Sequence, residues 1–398
     1  MNIDKITPCV YYAGVNDRTS ALFESLWPLP SGVSYNSYIV KGGDKTALID
    51  GTHLAFTDRL IGHVLEITGG AAPDYLVVNH MEPDHSGAIA LLRRVFPSLK
   101  IVGNGKTADM LQGYYSVPDD DILIVKDGDI LPLGGGVDLK FILTPMVHWP
   151  ETMMTWLECD GVIFTGDAFG CFGALNGAVV DCDMNVDGYF PEMHRYYSNI
   201  VAKYGSFVQK ALAKVAGLDI RYICSTHGPV WHADAERVVS LYDRMSRWEP
   251  LDGGTLIVYG SMYGNTERLC ERFAARLAAS GERNIKMCNV ATVPLSFILA
   301  DVMRFRGVVI ASPTYNNEIF PPVETFLRAL VQRGMKNRVI ATLGSFSWAP
   351  QALKKMNALL DAGGIPVIDT KVEMRQSLSP SLDTQLTAMV TAYLAALR

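Results

Sequence analysis

The stretch Asn79-His80-Met81-Glu82-Pro83-Asp84-His85-Ser86-Gly87 packs four potential metal ligands into six residues. Before it, the apolar run Tyr75-Leu76-Val77-Val78 reads as a buried strand; after it, the apolar spacing of Ala88 to Phe96 reads as a helix. The ligands therefore sit on a strand-to-helix turn, which projects side chains from the end of a sheet, where α/β proteins keep their sites. Two imidazoles and two carboxylates held this closely make poor core material, because a buried carboxylate needs a partner. A pair of metal ions supplies one.

Three later segments share that placement. His148 follows a strand in Thr144-Pro145-Met146-Val147-His148, Asp167 ends Phe164-Thr165-Gly166-Asp167, and His227 lies in Ser225-Thr226-His227-Gly228-Pro229. Each leaves an apolar strand and enters a turn containing Gly or Pro, so four strand ends converge on one rim. Of the other histidines, His53 follows the strand end Asp50-Gly51-Thr52 and is a weaker candidate for a place near the site. His63, His194 and His232 carry no signal.

The rest of the chain supports two domains. Its 398 residues are 49% apolar and 19% charged, which fits globular structure and not disorder. A net charge of -6 lacks the basic face of a nucleic-acid binder. There is no run of 18 apolar residues, and Met1-Asn2-Ile3-Asp4-Lys5 lacks a signal-peptide pattern, so no membrane association and a cytoplasmic location are expected. Seven cysteines occur without a Cys-x-x-Cys pair, which argues against a disulfide framework or a zinc ribbon; most are expected to be buried thiols.

Residues 1 to about 70 read as a hairpin-rich sheet, and strand-helix alternation follows; strands dominate again from Ile122 to Thr165, and 168 to 200 read as an irregular crossing. The helix over Asp234 to Trp248 ends at Glu249-Pro250-Leu251-Asp252-Gly253-Gly254, a proline followed by paired glycines. This places one domain at 1–250 and a second at 254–398. In the second, Leu256-Ile257-Val258-Tyr259, Val308-Val309-Ile310-Ala311 and Val339-Ile340-Ala341-Thr342 are the continuous apolar runs of a central parallel sheet, with amphipathic helices between and after them. The expected fold class is α/β, the second domain being a doubly wound parallel sheet.

Three loops at the ends of those strands form a second constellation. Gly260-Ser261-Met262-Tyr263-Gly264-Asn265-Thr266 opens directly into a helix, and its hydroxyls, amide and backbone N–H groups make a phosphate cradle. No Gly-Lys-Ser/Thr follows, so it is not a nucleoside-triphosphate loop. Ser312-Pro313-Thr314-Tyr315-Asn316-Asn317 and Gly344-Ser345-Phe346-Ser347-Trp348 lie on the same sheet edge and add aromatic faces for an isoalloxazine ring and polar groups for its pyrimidine edge.

At the metal residues the chain resembles the metallo-β-lactamase superfamily, with Glu82 in place of its second histidine, in the order His80-x-Glu82-x-Asp84-His85. That replacement, and the flavodoxin-like Ser/Thr-rich loop behind it, resemble the flavodiiron proteins over almost the full chain. The resemblance implies an N-terminal metallo-β-lactamase-like αββα sandwich followed by a flavodoxin-like domain that binds FMN. It implies that His80, Glu82, His148 and Asp167 hold one iron and Asp84, His85, Asp167 and His227 the other, with Asp167 bridging; the family's counterpart of His85 can swing away from the metal. Three carboxylates and four imidazoles suit redox-active iron better than the nitrogen-rich sites of zinc hydrolases. The implied activity is reduction of O2 to water, of NO to N2O, or both, in a head-to-tail homodimer or a dimer of dimers. The sequence ends at Arg398 just after a helix, from which no fused donor domain is expected and rubredoxin is the implied external donor. Two other readings are a dinuclear hydrolase with a flavodoxin-like appendage and a flavin/iron redox sensor.

Overall fold

The computed structural model describes residues 5–398; the first four residues, part of the N-terminal pattern read above, lie outside the described residues. The described chain falls into two compact units, one of residues up to Tyr197 together with Tyr204–Asp243, the other of Ser198–Lys203 together with Arg244–Arg398.

The first unit is built on two sheets. One has the spatial order Val10–Tyr12, Tyr38–Lys41, Thr46–Ile49, Tyr75–Val77, Lys100–Gly103 and Ile122–Ile124, antiparallel at its first two pairings and parallel thereafter. Side chains alternate across a strand, so Ile39, Leu48, Leu76 and Ile101 face one way and pack against Leu60, Val64, Leu92 and Leu111 of three helices. Their neighbours Tyr38, Val40, Ile49, Val77 and Val102 face the other way and are equally buried. Tyr38 meets Phe164 of the second sheet with ring centres 5.3 Å apart. Burial on both faces explains why these strands read as unbroken apolar runs. The second sheet runs Ile130–Pro132, Asp138–Leu143, Met153–Leu157, Val162–Phe164 and Tyr222–Cys224.

Three helices depart from the sequence reading. Thr57–Thr68 lies in the region read as hairpins; it buries Leu60, Val64 and Ile67 on one face and stops at Gly69, whose φ of 69° no side chain favours. Tyr189–Tyr196 lies in the stretch read as irregular, where Tyr189, Phe190, Met193 and Tyr196 form a buried helical stripe. Leu295–Arg304, where no helix was expected, buries Ile298, Leu299, Val302 and Met303. Among the cysteines, Cys171, Cys224, Cys270 and Cys288 are buried as expected, whereas Cys159 and Cys182 are exposed and Cys9 is half-buried.

In the second unit, Ile285–Asn289, Asp252–Tyr259, Phe305–Tyr315, Val339–Phe346 and Val372–Arg375 lie side by side, all parallel, in the sequential order 2-1-3-4-5 of a doubly wound sheet. Their common direction brings the loops after Tyr259, Tyr315 and Phe346 to one edge. Helix Asn265–Ala279 and helix Pro380–Leu397 cover one face, burying Phe273, Leu277, Leu386, Met389 and Tyr393 against Ile257, Val309 and Ala341.

Candidate functional site

The turn after Tyr75–Val77 is clamped from below. Asp50, at the end of the neighbouring strand, accepts from Asn79 N at 2.7 Å and from Asn79 Nδ2 at 2.9 Å, and Asn79 Oδ1 accepts from Thr155 Oγ1 at 2.7 Å. From this anchor the chain passes His80 and Glu82 and enters a one-turn helix, Pro83–Ser86, whose proline at the start suits its preset φ. Asp84 and His85 lie in that turn. His148 is carried by a loop tied by Met146 N to Trp149 O at 2.7 Å and Thr152 Oγ1 to Thr144 O at 2.6 Å. Thr226 Oγ1 donates to Asp167 Oδ1 at 2.6 Å, so the loop bearing His227 also fixes Asp167. Gly228 is obligatory there: its φ is 79°, and a Cβ would lie 2.2 Å from Cys171 Sγ.

All seven residues meet, in two groups joined by one carboxylate. Asp167 Oδ2 lies 3.6 Å from His80 Nε2 and 3.1 Å from His148 Nε2, while Glu82 Oε2 lies 3.2 and 3.1 Å from the same two nitrogens. Asp167 Oδ1 turns the other way, 2.9 Å from His85 Nε2 and 3.7 Å from His227 Nε2, with Asp84 Oδ2 at 3.2 and 3.3 Å from those rings. Donor atoms each about 2.1 Å from one ion stand about 3.0 to 3.4 Å apart, so these spacings are those of two ligand shells. Among the described residues, neither oxygen of Asp84 nor His227 Nε2 has a hydrogen-bond partner, although all are buried, and His85 Nε2 faces Asp167 without the alignment of a hydrogen bond. Unpaired buried donors of this kind await a cation.

Charge tells the same story. Burial disfavours the charged form of His80, yet Asp167, Glu151 and Glu82 outweigh it and hold the imidazole well above its ordinary value. His85 and His148 are pushed up to about 9 against the same burial penalty, by Asp84 and Asp167 for the first and by Asp167 and Glu82 for the second. Glu82 and Asp167 are held below the usual carboxylate range by these imidazoles.

In the second unit the three loops enclose a cleft of about 800 Å³ open to solvent. It is lined by Ser261, Met262, Tyr263, Asn265 and Thr266 from the first loop, by Pro313, Thr314, Asn316 and Asn317 from the second, and by Ser345, Phe346, Ser347 and Trp348 from the third. Gly264, at φ 85°, starts the helix Asn265–Ala279, and Ser261 Oγ accepts from Gly264 N at 3.1 Å. Thr266 and Ser345 hydroxyls meet at 2.8 Å and join the first and third loops. Ser312 and Tyr315 do not line the cleft: Ser312 Oγ is used within its own turn, accepting from Phe320 N at 3.1 Å, and the Tyr315 ring packs by its edge against Phe320. Ala349 and Gln376 line it without having been expected.

Comparison with known proteins bears on both units. The family model described as ODP family beta lactamase matches residues 33–228, and the flavodoxin model matches residues 257–385. The anaerobic nitric oxide reductase flavorubredoxin of Escherichia coli is 32% identical over 351 residues, 86% of this chain and 72% of that protein. The nitric oxide reductase of Moorella thermoacetica is 31% identical over 370 residues, 91% of this chain and 90% of that one. Rubredoxin oxygen:oxidoreductase from Desulfovibrio gigas superposes with a TM-score of 0.94 at 26% identity, over 100% of this chain and 98% of that one. The chain belongs to the flavodiiron protein family.

The cofactors of this flavodiiron protein are FMN and a pair of irons, and its residues fit both. The donor set divides into His80, Glu82, His148 and Asp167 on one side and Asp84, His85 and His227 on the other, mixed oxygen and nitrogen donors that suit iron.

Two functional residues escaped the sequence reading. Glu151 Oε1 pairs with His80 Nδ1 at 2.8 Å and accepts from Met81 N at 2.9 Å, the carboxylate–histidine arrangement that fixes a metal-binding ring. Its signal was a buried acid three residues after His148. Glu24 sits at the tip of the hairpin Leu22–Phe23 and Trp27–Pro28; the residue is exposed as a whole, but its carboxyl turns inward beside Glu82. Burial and the charge of Glu82 push it up to about 7, while Trp27 Nε1 donates to its Oε2 at 2.8 Å. Nothing local marked it. His227 is oriented by its Nδ1 contact to Ser34 O at 2.7 Å, whereas His85 Nδ1 has no hydrogen-bond partner among the described residues. His53 stacks on Tyr35 outside both donor groups. Phe23 and Tyr196 stand 5.4 and 5.5 Å from the His227 ring and wall that side.

Proposed function

We propose that this flavodiiron protein reduces O2 to water, NO to N2O, or both, with electrons passing from an external donor to FMN and then to the irons. The observation that carries the reading is the division of Asp167, one oxygen toward each donor group, in a chain that also holds a flavin cleft. When bound, FMN takes electrons singly or in pairs and the two irons bind and reduce the gas. The protein's part is positioning. Asp167 would bridge the two irons, with Thr226 holding its Oδ1; Glu151 and Ser34 would keep His80 and His227 turned toward them. Phe23, Phe172 and Tyr196 form a packed aromatic cluster whose Phe23 and Tyr196 rings stand against His227. Glu24, held by Trp27 Nε1, lies beside Glu82 at the edge of this donor group.

Two further parts of the proposal concern partners and place. The working form is a head-to-tail homodimer, in which one subunit's flavin serves the other's irons; supporting it are Tyr263 and Trp348, 89% and 86% exposed at the flavin cleft, aromatic groups of the kind that anchor interfaces. The donor is rubredoxin or a similar small redox protein, a reading supported by the printed name of the Desulfovibrio gigas neighbour. Location in the cytoplasm is consistent with the finding that, among the described residues, no helix is long and apolar enough to cross a membrane.

The test is anaerobic stopped-flow of the fully reduced, iron- and FMN-loaded protein against O2 and, separately, NO. Rapid flavin reoxidation by either gas, abolished in Asp167→Ala and Glu82→His, is the expected result. Slow reoxidation by both, indifferent to those substitutions, overturns the reading.

A further inference from the structure

We propose that Cys9, Cys159 and Asp160 form a separate cation site, for a soft divalent metal ion of the zinc class. The two cysteines are 150 residues apart in sequence, yet their sulfurs and an Asp160 oxygen all lie within 4.8 Å of one another. Cys9 immediately precedes the edge strand Val10–Tyr12 of the first sheet, and Cys159 and Asp160 form the turn between Met153–Leu157 and Val162–Phe164 in the second. An ion held here clips one sheet to the other. Asp160 precedes the strand Val162–Phe164 and Asp167 follows it, so this site and the iron site lie at opposite ends of that strand.

The carboxylate is already oriented. Asp160 Oδ2 accepts from Thr7 Oγ1 and from Cys9 N, the latter at 3.0 Å, and Thr7 Oγ1 in turn accepts from Val10 N at 3.2 Å. Both bonds fall on Oδ2. Arg221 Nη2 donates to the Cys159 carbonyl at 3.3 Å. Burial, then the Asp160 charge, push the Cys9 thiol up to about 11 and raise that of Cys159. Two sulfurs and one oxygen are zinc-type donors, and because Cys159 is exposed a water can complete a four-coordinate shell. Binding displaces one proton from each thiol, so each ion taken up releases two protons to solvent and leaves a complex of net charge -1.

Cadmium is the probe, because thiolate ligation gives it an ultraviolet charge-transfer band. Cadmium chloride is titrated into the anaerobic, reduced, iron- and FMN-loaded protein, with iron content followed so that displacement from the iron site is recognised. One ion per chain, about two protons released, a two-thiolate band and protection of Cys9 and Cys159 from alkylation by mass spectrometry are expected. Cys159→Ser, on an exposed turn, should keep gas reduction unchanged while removing both the band and the protection of Cys9. Absence of a tightly bound ion, an undiminished band in Cys159→Ser, or a Cys9–Cys159 disulfide that yields thiols unable to bind after reduction would each overturn the proposal.

Discussion

Replacing Glu151 should loosen one iron and spare the other. Its Oε1 pairs with His80 Nδ1 at 2.8 Å and with Met81 N at 2.9 Å, both on the side of the His80 donor group. Partners of metal-bound histidines typically contribute tenfold to hundredfold in metal affinity, about 1.4 to 2.7 kcal/mol. Glu151→Gln keeps an acceptor for both donors and loses only the charge, so about tenfold weaker binding at the His80 group is expected. Glu151→Ala leaves a buried ring N–H and a buried amide unpaired, which should weaken binding about a hundredfold and cost the metal-free protein about 1 to 3 kcal/mol per orphaned group. The assay is anaerobic competition of the loaded protein with a ferrous chelator, alongside urea unfolding of the metal-free form. Release should become biphasic, one iron leaving at lower chelator and one as in the parent, with FMN content unchanged. Release of both irons together at the parental chelator concentration, in both variants, would refute the reasoning that Glu151 acts by orienting His80.

Three further outcomes follow from the same contacts. Gly228→Ala forces a Cβ to 2.2 Å from Cys171 Sγ at φ 79°, and should destabilise the metal-free protein by at least about 2 kcal/mol and cut iron content, as read by urea unfolding and metal analysis. Arg338 donates to the carbonyls of Val302, Trp248, Asn337 and Met303 from a buried position; Arg338→Ala should cost about 3 kcal/mol in urea unfolding, with the iron-site absorption unchanged. Asp383, gripped by Arg272 and Arg276, is held down at about 2. A depressed carboxylate stabilises the fold at pH values above its unfolded value of 3.8 and loses that contribution as pH falls toward 2, so Asp383→Asn should flatten the pH dependence of the unfolding midpoint between about 4 and 2, and added salt should shrink the difference.

Much of this was readable along the chain because the signals are local. A strand that ends in a ligand and a glycine or proline turn needs only a few consecutive residues to announce itself, as with Gly166-Asp167 and His227-Gly228. The flavin loops are legible for the same reason, since three apolar strands followed by hydroxyl- and amide-rich turns imply one sheet edge. Short helices were lost where aromatic and polar residues obscured a periodicity that exists, as in Tyr189–Tyr196. Ser312 and Tyr315 were read as flavin contacts from composition, which does not reveal that their side chains turn toward Phe320.

Residue types and their spacing alone determined that this chain carries a dinuclear acidic and imidazole cluster, a phosphate-binding loop and two α/β bodies, because each depends on near neighbours. Which oxygen of Asp167 faces which histidines, that Glu151 backs His80, that Glu24 reaches Glu82, and that Cys9 meets Cys159 were decided only by the tertiary structure. The reason is physical: these pairings join strands and turns far apart in sequence. Their distances follow from how two buried sheets stack and twist, and no short window of residues encodes that.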